Sequence, residues 1–360
     1  MGFLSGCRHL VSVLLNDEGF EHYTPEETSS RLTGRGVAQI LTAVPALTLL
    51  SCEPLIMQEA IASLYSLSVS RTFSLTHLQL RFANRETLFR VSSLFPSLTS
   101  LHLVEPNTDV GLALSQMTNL LSLQCTSFTW DIIEDTYFSA LCRNLTSLTL
   151  KFPRNSIEPS HLLRIGECCQ SLQSLTLAFY IRDSFIVPVT SPTRQPFFPQ
   201  LKNLVLEGDI SINLLASFLS SLKCLRQLSV LVSSFSIPSG EMDSLLLEVV
   251  KAGGLASLQY LQCYQWDVSL ETILYMIDQT PALNTIWGLD LLLICQKSRE
   301  TVESHIRKNN FNISLNDGIA PEQSRGLDWI SEKINHREIR LSDFSRQTNL
   351  EEILVELNLL

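Results

Sequence analysis

The chain has 360 residues, of which 45% are hydrophobic and only 17% charged, which excludes a disordered or low-complexity polypeptide and implies an extensive core. Its net charge is −10, with 36 acidic residues against 26 basic ones and no Lys/Arg cluster. A phosphate backbone would be repelled by such a chain, so nucleic acid is not an expected partner.

At the N-terminus, Arg8 and the short apolar stretch Leu10 to Leu15 precede Asn16, Asp17 and Glu18, too little for a signal-peptide core. Gly2 is followed by Gly6 where a myristoylation signal wants Ser or Thr, and no stretch approaches the apolar length of a membrane span. The nine cysteines are odd in number and form no Cys-x-x-Cys pair, which suits a reducing compartment better than a disulfide framework. The expectation is a monomeric, intracellular protein of the cytoplasm or nucleus, with no membrane or lipid attachment.

Along the chain a pattern of the form Leu-x-x-Leu-x-Leu recurs eleven times. Clear copies are Leu75-Leu78-Leu80, Leu98-Leu101-Leu103, Leu145-Leu148-Leu150, Leu172-Leu175-Leu177 and Leu201-Leu204-Leu206. Weaker copies open at Leu10, Leu47, Leu120, Leu225, Leu258 and Leu283. The opening leucines stand 22 to 37 residues apart, the period of a leucine-rich repeat in which one strand and one helix make each turn of a solenoid. One turn cannot bury its apolar side alone, so stability comes from stacking on neighbours. The predicted fold class is therefore α/β, a leucine-rich-repeat solenoid or horseshoe with a parallel inner sheet and outer helices, over residues 1–290.

In chain order, residues 16–37 hold Glu18, Glu21, Glu26, Glu27 and a Gly34-x-Gly36 pair, an expected acidic loop ahead of a helix from Val37 to Val44. Residues 178–200 carry Pro188, Pro192, Pro196 and Pro199 where a helix should be, so an insertion is expected there, pinned by Phe185, Phe197 and Phe198. Glu241 to Ala252 reads as a helix closed by Gly253-Gly254. Leu270, Ile273, Leu274 and Ile277 form the apolar stripe of another, capped by Ser269 or Asp267 and stopped before Pro281. Residues 291–360 are more polar, with 21 charged side chains in the last 71 residues against 41 in the preceding 289. They read as a charged, α-rich C-terminal cap: helices Leu291 to Lys308, Leu327 to Asn335 and Asn349 to Leu359, and a short strand Phe311 to Leu315.

Cys7, Cys142 and Cys169 stand three residues before an opening leucine, and Pro45, Pro96, Pro199 and Pro281 stand two before one. Together they spell Cys-Pro-x-Leu-x-x-Leu-x-Leu in pieces. Over residues 7–290 this resembles the cysteine-containing (RNI-like) leucine-rich repeats of F-box proteins, the substrate-recognition subunits of cullin-based ubiquitin ligases. The resemblance implies a protein-binding role, with cullin-ligase components among the partners. No F-box, a helical segment with a Leu-Pro, a leucine run and a Trp, is visible ahead of the repeats. A free-standing repeat module with no ubiquitin link stays open as an alternative.

Strand alternation sends the second and third leucines of each motif into the core and the residues between them to the concave face. The candidate partner-binding residues on that face are Tyr260, Gln262, Tyr264 and Trp287, with Gln227, His77, Arg81 and His102. Aromatic side chains on a rigid wall are the usual anchors of interfaces; the competing expectation is that these rings pack against the C-terminal cap.

Other chemistry is not expected. His77 and His102 lie on one face but at offset positions with no third ligand, so no metal site is predicted. Cys168 and Cys169 are read as buried structural sulfur, and Cys52, Cys125 and Cys263 as small hydrophobes in the last core slot of their strands. No nucleophile elbow, zinc-protease motif or Walker loop occurs, and neither catalysis nor a cofactor is expected. A different class, a GTPase-activating repeat protein, would use the acidic loop with Arg31 or Arg35 supplying transition-state charge.

Overall fold

A computed structural model of the chain describes residues 12–14, 33–66, 71–107, 109–127, 135–152, 159–179, 198–208, 212–231, 240–264, 268–288 and 296–316. The chain divides into two compact units, with the change between Leu141 and Cys142.

In the first unit a short strand β1 (Ser12–Leu14) pairs in parallel with β2 (Leu49–Ser51), flanking helix α1 (Gly34–Ala43). Helix α2 (Pro54–Ser66) then leads to β3 (His77–Arg81), α3 (Arg85–Leu94), β4 (Ser100–Val104), α4 (Gly111–Ser115), β5 (Ser122–Thr126) and α5 (Asp135–Cys142), whose last residue opens the second unit. Strands β3, β4 and β5 are parallel neighbours in unshifted register, His77 opposite Ser100 and Ser100 opposite Ser122.

The second unit carries β6 (Ser147–Phe152), α6 (Pro159–Cys168), β7 (Ser174–Phe179), β8 (Asn203–Gly208), α7 (Ile212–Ser221), β9 (Gln227–Leu231), α8 (Glu241–Lys251) and β10 (Tyr260–Tyr264). It continues with α9 (Leu270–Gln279), β11 (Thr285–Trp287), α10 (Gln296–Lys308) and β12 (Ser314–Asn316). Its strands pair in parallel in chain order from β6 to β12. This is the α/β leucine-rich-repeat solenoid that the periodic leucines predict.

Three devices recur along the turns. Leu78, Leu80, Leu101, Leu103, Leu148, Leu175, Leu204 and Leu228 are buried, while Gln79, His102, Thr149, Thr176 and Val205 between the paired core positions are half-buried. Before most strands the opening leucine donates its backbone N–H to the carbonyl three residues earlier, as in Leu98 to Phe95, Leu172 to Cys169 and Leu258 to Leu255. The carbonyl just after that leucine then accepts two N–H groups from the next turn: Thr76 O takes those of Thr99 and Ser100, and Arg226 O those of Gln259 and Tyr260. Threonine suits this column, because its hydroxyl adds a third bond between turns, Thr76 Oγ1 to Thr48 O at 3.0 Å and Thr99 Oγ1 to Thr76 O at 3.1 Å. Backbone groups that a lone turn would leave unpaired are thus satisfied by its neighbour.

In most turns the residue three before the opening leucine is a core anchor: Val44, Phe95, Met117, Cys142, Cys169, Phe198, Leu222, Leu255 and Thr280 are all buried, while Thr72 before Leu75 is exposed. The cysteines of the Cys-Pro pattern are therefore small occupants of a general apolar site.

The expectation of unpaired thiols needs one correction: Cys142 and Cys169 are joined sulfur to sulfur, with Cα atoms 4.7 Å apart. Each stands at a helix end three residues before the opening leucine of its turn, and stacked turns repeat about every 4.8 Å, so the repeat itself brings the two together. Among the described cysteines, Cys52, Cys125 and Cys224 are in no disulfide.

Helix α1 begins at Gly34, not Val37, with Thr33 as its cap accepting from Gly36 N at 3.2 Å. The Gly34-x-Gly36 pair is thus helix rather than loop. Gly34 is there for packing: a Cβ on it would sit 2.3 Å from Glu59 Cβ and 2.8 Å from Ala60 N in α2. Helix α9 is capped by Ser269, which accepts from Thr272 N at 3.2 Å, and ends at Thr280, as its sequence predicts.

Ala178 and Phe179, placed in the 178–200 insertion, belong to β7. Phe198 is buried and stacks on Phe218 with centroids 5.8 Å apart, while 180–197 lie outside the described residues. In the 291–360 segment the helix spans Gln296–Lys308 and the strand Ser314–Asn316; the helices expected at 327–335 and 349–359 fall outside the described residues.

Candidate functional site: the open face of the sheet

Alternation along each strand leaves one face of the sheet away from the buried leucines. In the first unit this face carries His77, Gln79 and Arg81 on β3 and His102 on β4. His77 is opposite Ser100 and His102 opposite Gln79, so the two imidazoles are offset by one face position. Thr76 Oγ1 lies 2.7 Å from His77 Nδ1, and Thr126 Oγ1 3.2 Å from His102 Nε2, so hydroxyls orient both rings. Among the described residues no group of His, Cys, Asp or Glu could hold a metal ion.

Arg81 forms a half-exposed pair with Glu105 at 3.5 Å, and its guanidinium lies 4.8 Å from the centroid of the Phe82 ring. Phe82, Glu105 and Ser127 leave their strands at φ 52°, 51° and 62°, the left-handed region where glycine is favoured. At the corresponding position of β8 the chain uses Gly208, at φ 96°. The exposed Phe82 therefore sits at a backbone position the fold imposes. The leucine pattern gives no sign of this, because the residue lies outside it.

In the second unit the face over β9, β10 and β11 brings several of the expected residues together. Gln227 is opposite Tyr260. Ser229 is opposite Gln262, which on its other side is opposite Trp287. Gln227 is exposed, and Tyr260 and Trp287 are half-buried. Ser229 and Gln262 are 8% and 9% exposed, and the Ser229 hydroxyl donates to Gln262 Oε1 at 2.8 Å. Tyr264 closes β10 opposite Leu231; its side chain, like Trp266, lies outside the described residues.

The expected core cysteine Cys125 is fully buried, and desolvation pushes its thiol up to about 12. Cys52 is pushed up to about 12 by burial and, second, by the neighbouring Glu53. Burial thus holds both as neutral thiols at neutral pH. Arg35 is exposed in the first turn of α1, while Arg31 and the acidic loop lie outside the described residues. No helix among the described residues is long and apolar enough to cross a membrane.

The stacked helix-strand turns, the parallel register and the exposed polar face define the class as leucine-rich repeat. No protein-family model matches the chain, and no curated protein matches it. Among solved structures, the chain is similar to an internalin from Listeria monocytogenes at 14% identity, covering 78% of this chain and 70% of that one with a TM-score of 0.40. It is also similar to the leucine-rich repeat-containing protein LegL7 from Legionella pneumophila at 17% identity, covering 82% and 92% with a TM-score of 0.43. A third similar structure is the yeast complex of Rad7 and Elc1, at 13% identity, covering 71% and 86% with a TM-score of 0.36.

Proposed function

We propose that this chain is a non-catalytic scaffold that holds a protein partner on the open face of its sheet, centred on β9–β11. The observation that carries this is the set Tyr260, Gln262 and Trp287, aromatic and amide side chains fixed by strand register on one wall. Interfaces concentrate their energy in such aromatic anchors, and a parallel sheet presents them without an ordering cost. The resemblance of the Cys-Pro-x-Leu pieces to F-box protein repeats supports substrate recognition for a ubiquitin ligase as the setting, with cullin-ligase components as further partners. Residues 291–360 serve in this reading as the polar cap of the repeats.

The test is affinity purification of the full chain against a Tyr260→Ala/Trp287→Ala double variant, with Glu271→Ala on the helix side as control. Loss of the bound protein in the double variant alone, at an unchanged melting temperature, is expected. Retention of every partner together with a lowered melting temperature would make the rings part of the cap contact and remove the proposal.

A further inference from the structure

The proposed face has a chemistry that narrows its partner, an inference that rests on the scaffold function. Over β9–β12 the face positions Gln227, Ser229, Tyr260, Gln262, Thr285 and Trp287, followed by Ser314 and Asn316, include no charged side chain, in a chain that is 17% charged. The face itself offers a charged partner no group to pair with. Recognition must come from ring contacts and from neutral hydrogen bonds.

One such hydrogen-bonding group is already fixed. Gln262 is nine-tenths buried, and its Oε1 accepts from the Ser229 hydroxyl on β9. The amide is thereby held with its oxygen toward β9, while on the other side of its strand β11 places Trp287 in register. Its Nε2–H groups have no acceptor among the described residues. Nε2 is not one of the side-chain atoms sealed from solvent without a partner, so an incoming acceptor can reach its N–H groups. Tyr260 precedes Gln262 by two residues on the same face, so the donor is flanked by a ring on its own strand and a ring on the next.

We infer that this face binds an uncharged, extended segment of another protein chain, with a main-chain carbonyl accepting from Gln262 Nε2 and neighbouring apolar or proline side chains against Tyr260 and Trp287. A carbonyl between apolar side chains is what an extended peptide offers every second residue, and aromatic-walled grooves with neutral donors suit proline-containing segments in particular. Ser229 is a positioning residue: it sets the orientation of the amide without touching the peptide.

A phage-displayed library of random linear peptides, selected on the full chain, tests this. Enriched peptides should be poor in Asp, Glu, Lys and Arg. A synthetic copy should bind with the same Kd within about twofold at about 50 mM and about 500 mM salt, because no ionic contact is screened. Gln262→Ala and Trp287→Ala should each weaken it about tenfold, the equivalent of about 1.4 kcal/mol. Ser229→Ala should weaken it less, and Ser229→Thr, which keeps the hydroxyl, should restore it.

No enrichment, charge-rich peptides with salt-sensitive binding, or binding that survives both Gln262→Ala and Trp287→Ala would each overturn the inference. The salt and composition readouts use the unaltered chain, so a variant that fails to fold leaves them intact. If whole-protein capture depends on Tyr260 and Trp287 while no linear peptide enriches, the scaffold function stands and the peptide inference falls. If peptides bind as described but protein capture ignores those rings, the reverse holds.

Discussion

Thr280 and Leu255 occupy the same site in consecutive turns, each three residues before an opening leucine and each accepting that leucine's N–H at 3.0 Å. Leu255 is 1% exposed and Thr280 2%, yet only Thr280 brings a hydroxyl into the core. Its Oγ1 finds no hydrogen-bond partner among the described residues.

An unpaired buried hydroxyl costs about 1 to 3 kcal/mol, whereas a methyl of the same shape belongs in the site. Thr280→Val is therefore expected to stabilise the protein by about 1 kcal/mol. Urea denaturation measures this: a higher midpoint at unchanged slope is the expected result, and a lower midpoint would mean that Oγ1 has a partner after all.

Gly34→Ala is expected to destabilise by about 1 to 3 kcal/mol, although alanine is the better helix former, because its methyl would press into the α2 backbone at Ala60 N. Circular-dichroism melting compares it with Gly36→Ala, two residues further along and half-exposed, where helix propensity should prevail and stability should not fall. Equal effects of the two would show that α1 and α2 do not approach so closely.

What the chain makes legible is set by what a period can encode. The inward leucines and the face positions of Tyr260, Gln262 and Trp287 come from alternation alone, since side chains on a strand have a period of two. The ends of α9 were legible because Ser269 and Pro281 act locally. Gly34 misled: glycines ahead of an apolar stripe read as loop, and only the approach of α2, a non-local fact, makes Gly34 a helical packing residue. The Cys142–Cys169 pairing was hidden for a similar reason, since the two cysteines are 27 residues apart and meet only through stacking. The Ser229–Gln262 bond joins face residues of successive strands, and the register that sets them opposite each other comes from the spacing of their leucines, not from either residue.

Leu175 and Leu121 should separate repeat leucines from incidental ones. Leu175 is 0% exposed between Leu148 and Leu204 on the neighbouring strands, while Leu121, just before β5, is 44% exposed. Leu175→Ala is expected to cost about 2 to 5 kcal/mol through lost burial and the cavity left behind. Leu121→Ala should stay within about 0.5 kcal/mol. Chemical denaturation of the two variants in parallel measures the contrast, and a comparable loss for both would mean that the burial pattern does not set stability.

The buried thiol of Cys125 gives stability a pH dependence of defined sign. Its ordinary value is 9.0, and burial raises it to about 12 in the folded chain. Below pH 9 both folded and unfolded chains keep the thiol neutral, and the contribution to stability is complete. Between pH 9 and 12 the unfolded chain releases the proton while the folded one retains it, so folding loses stability as pH rises. Cys125→Ala would flatten this slope at the expense of some core packing, which is why the slope of stability against pH, and not its absolute value, is the quantity to compare. The same burial protects the sulfur from alkylation. In the native protein at pH 9, iodoacetamide is expected to modify the exposed Cys224 and to spare Cys125, with modification sites assigned by peptide mass mapping. Rapid native-state labelling of Cys125 would mean that the strand around it opens to solvent, against its place in the core.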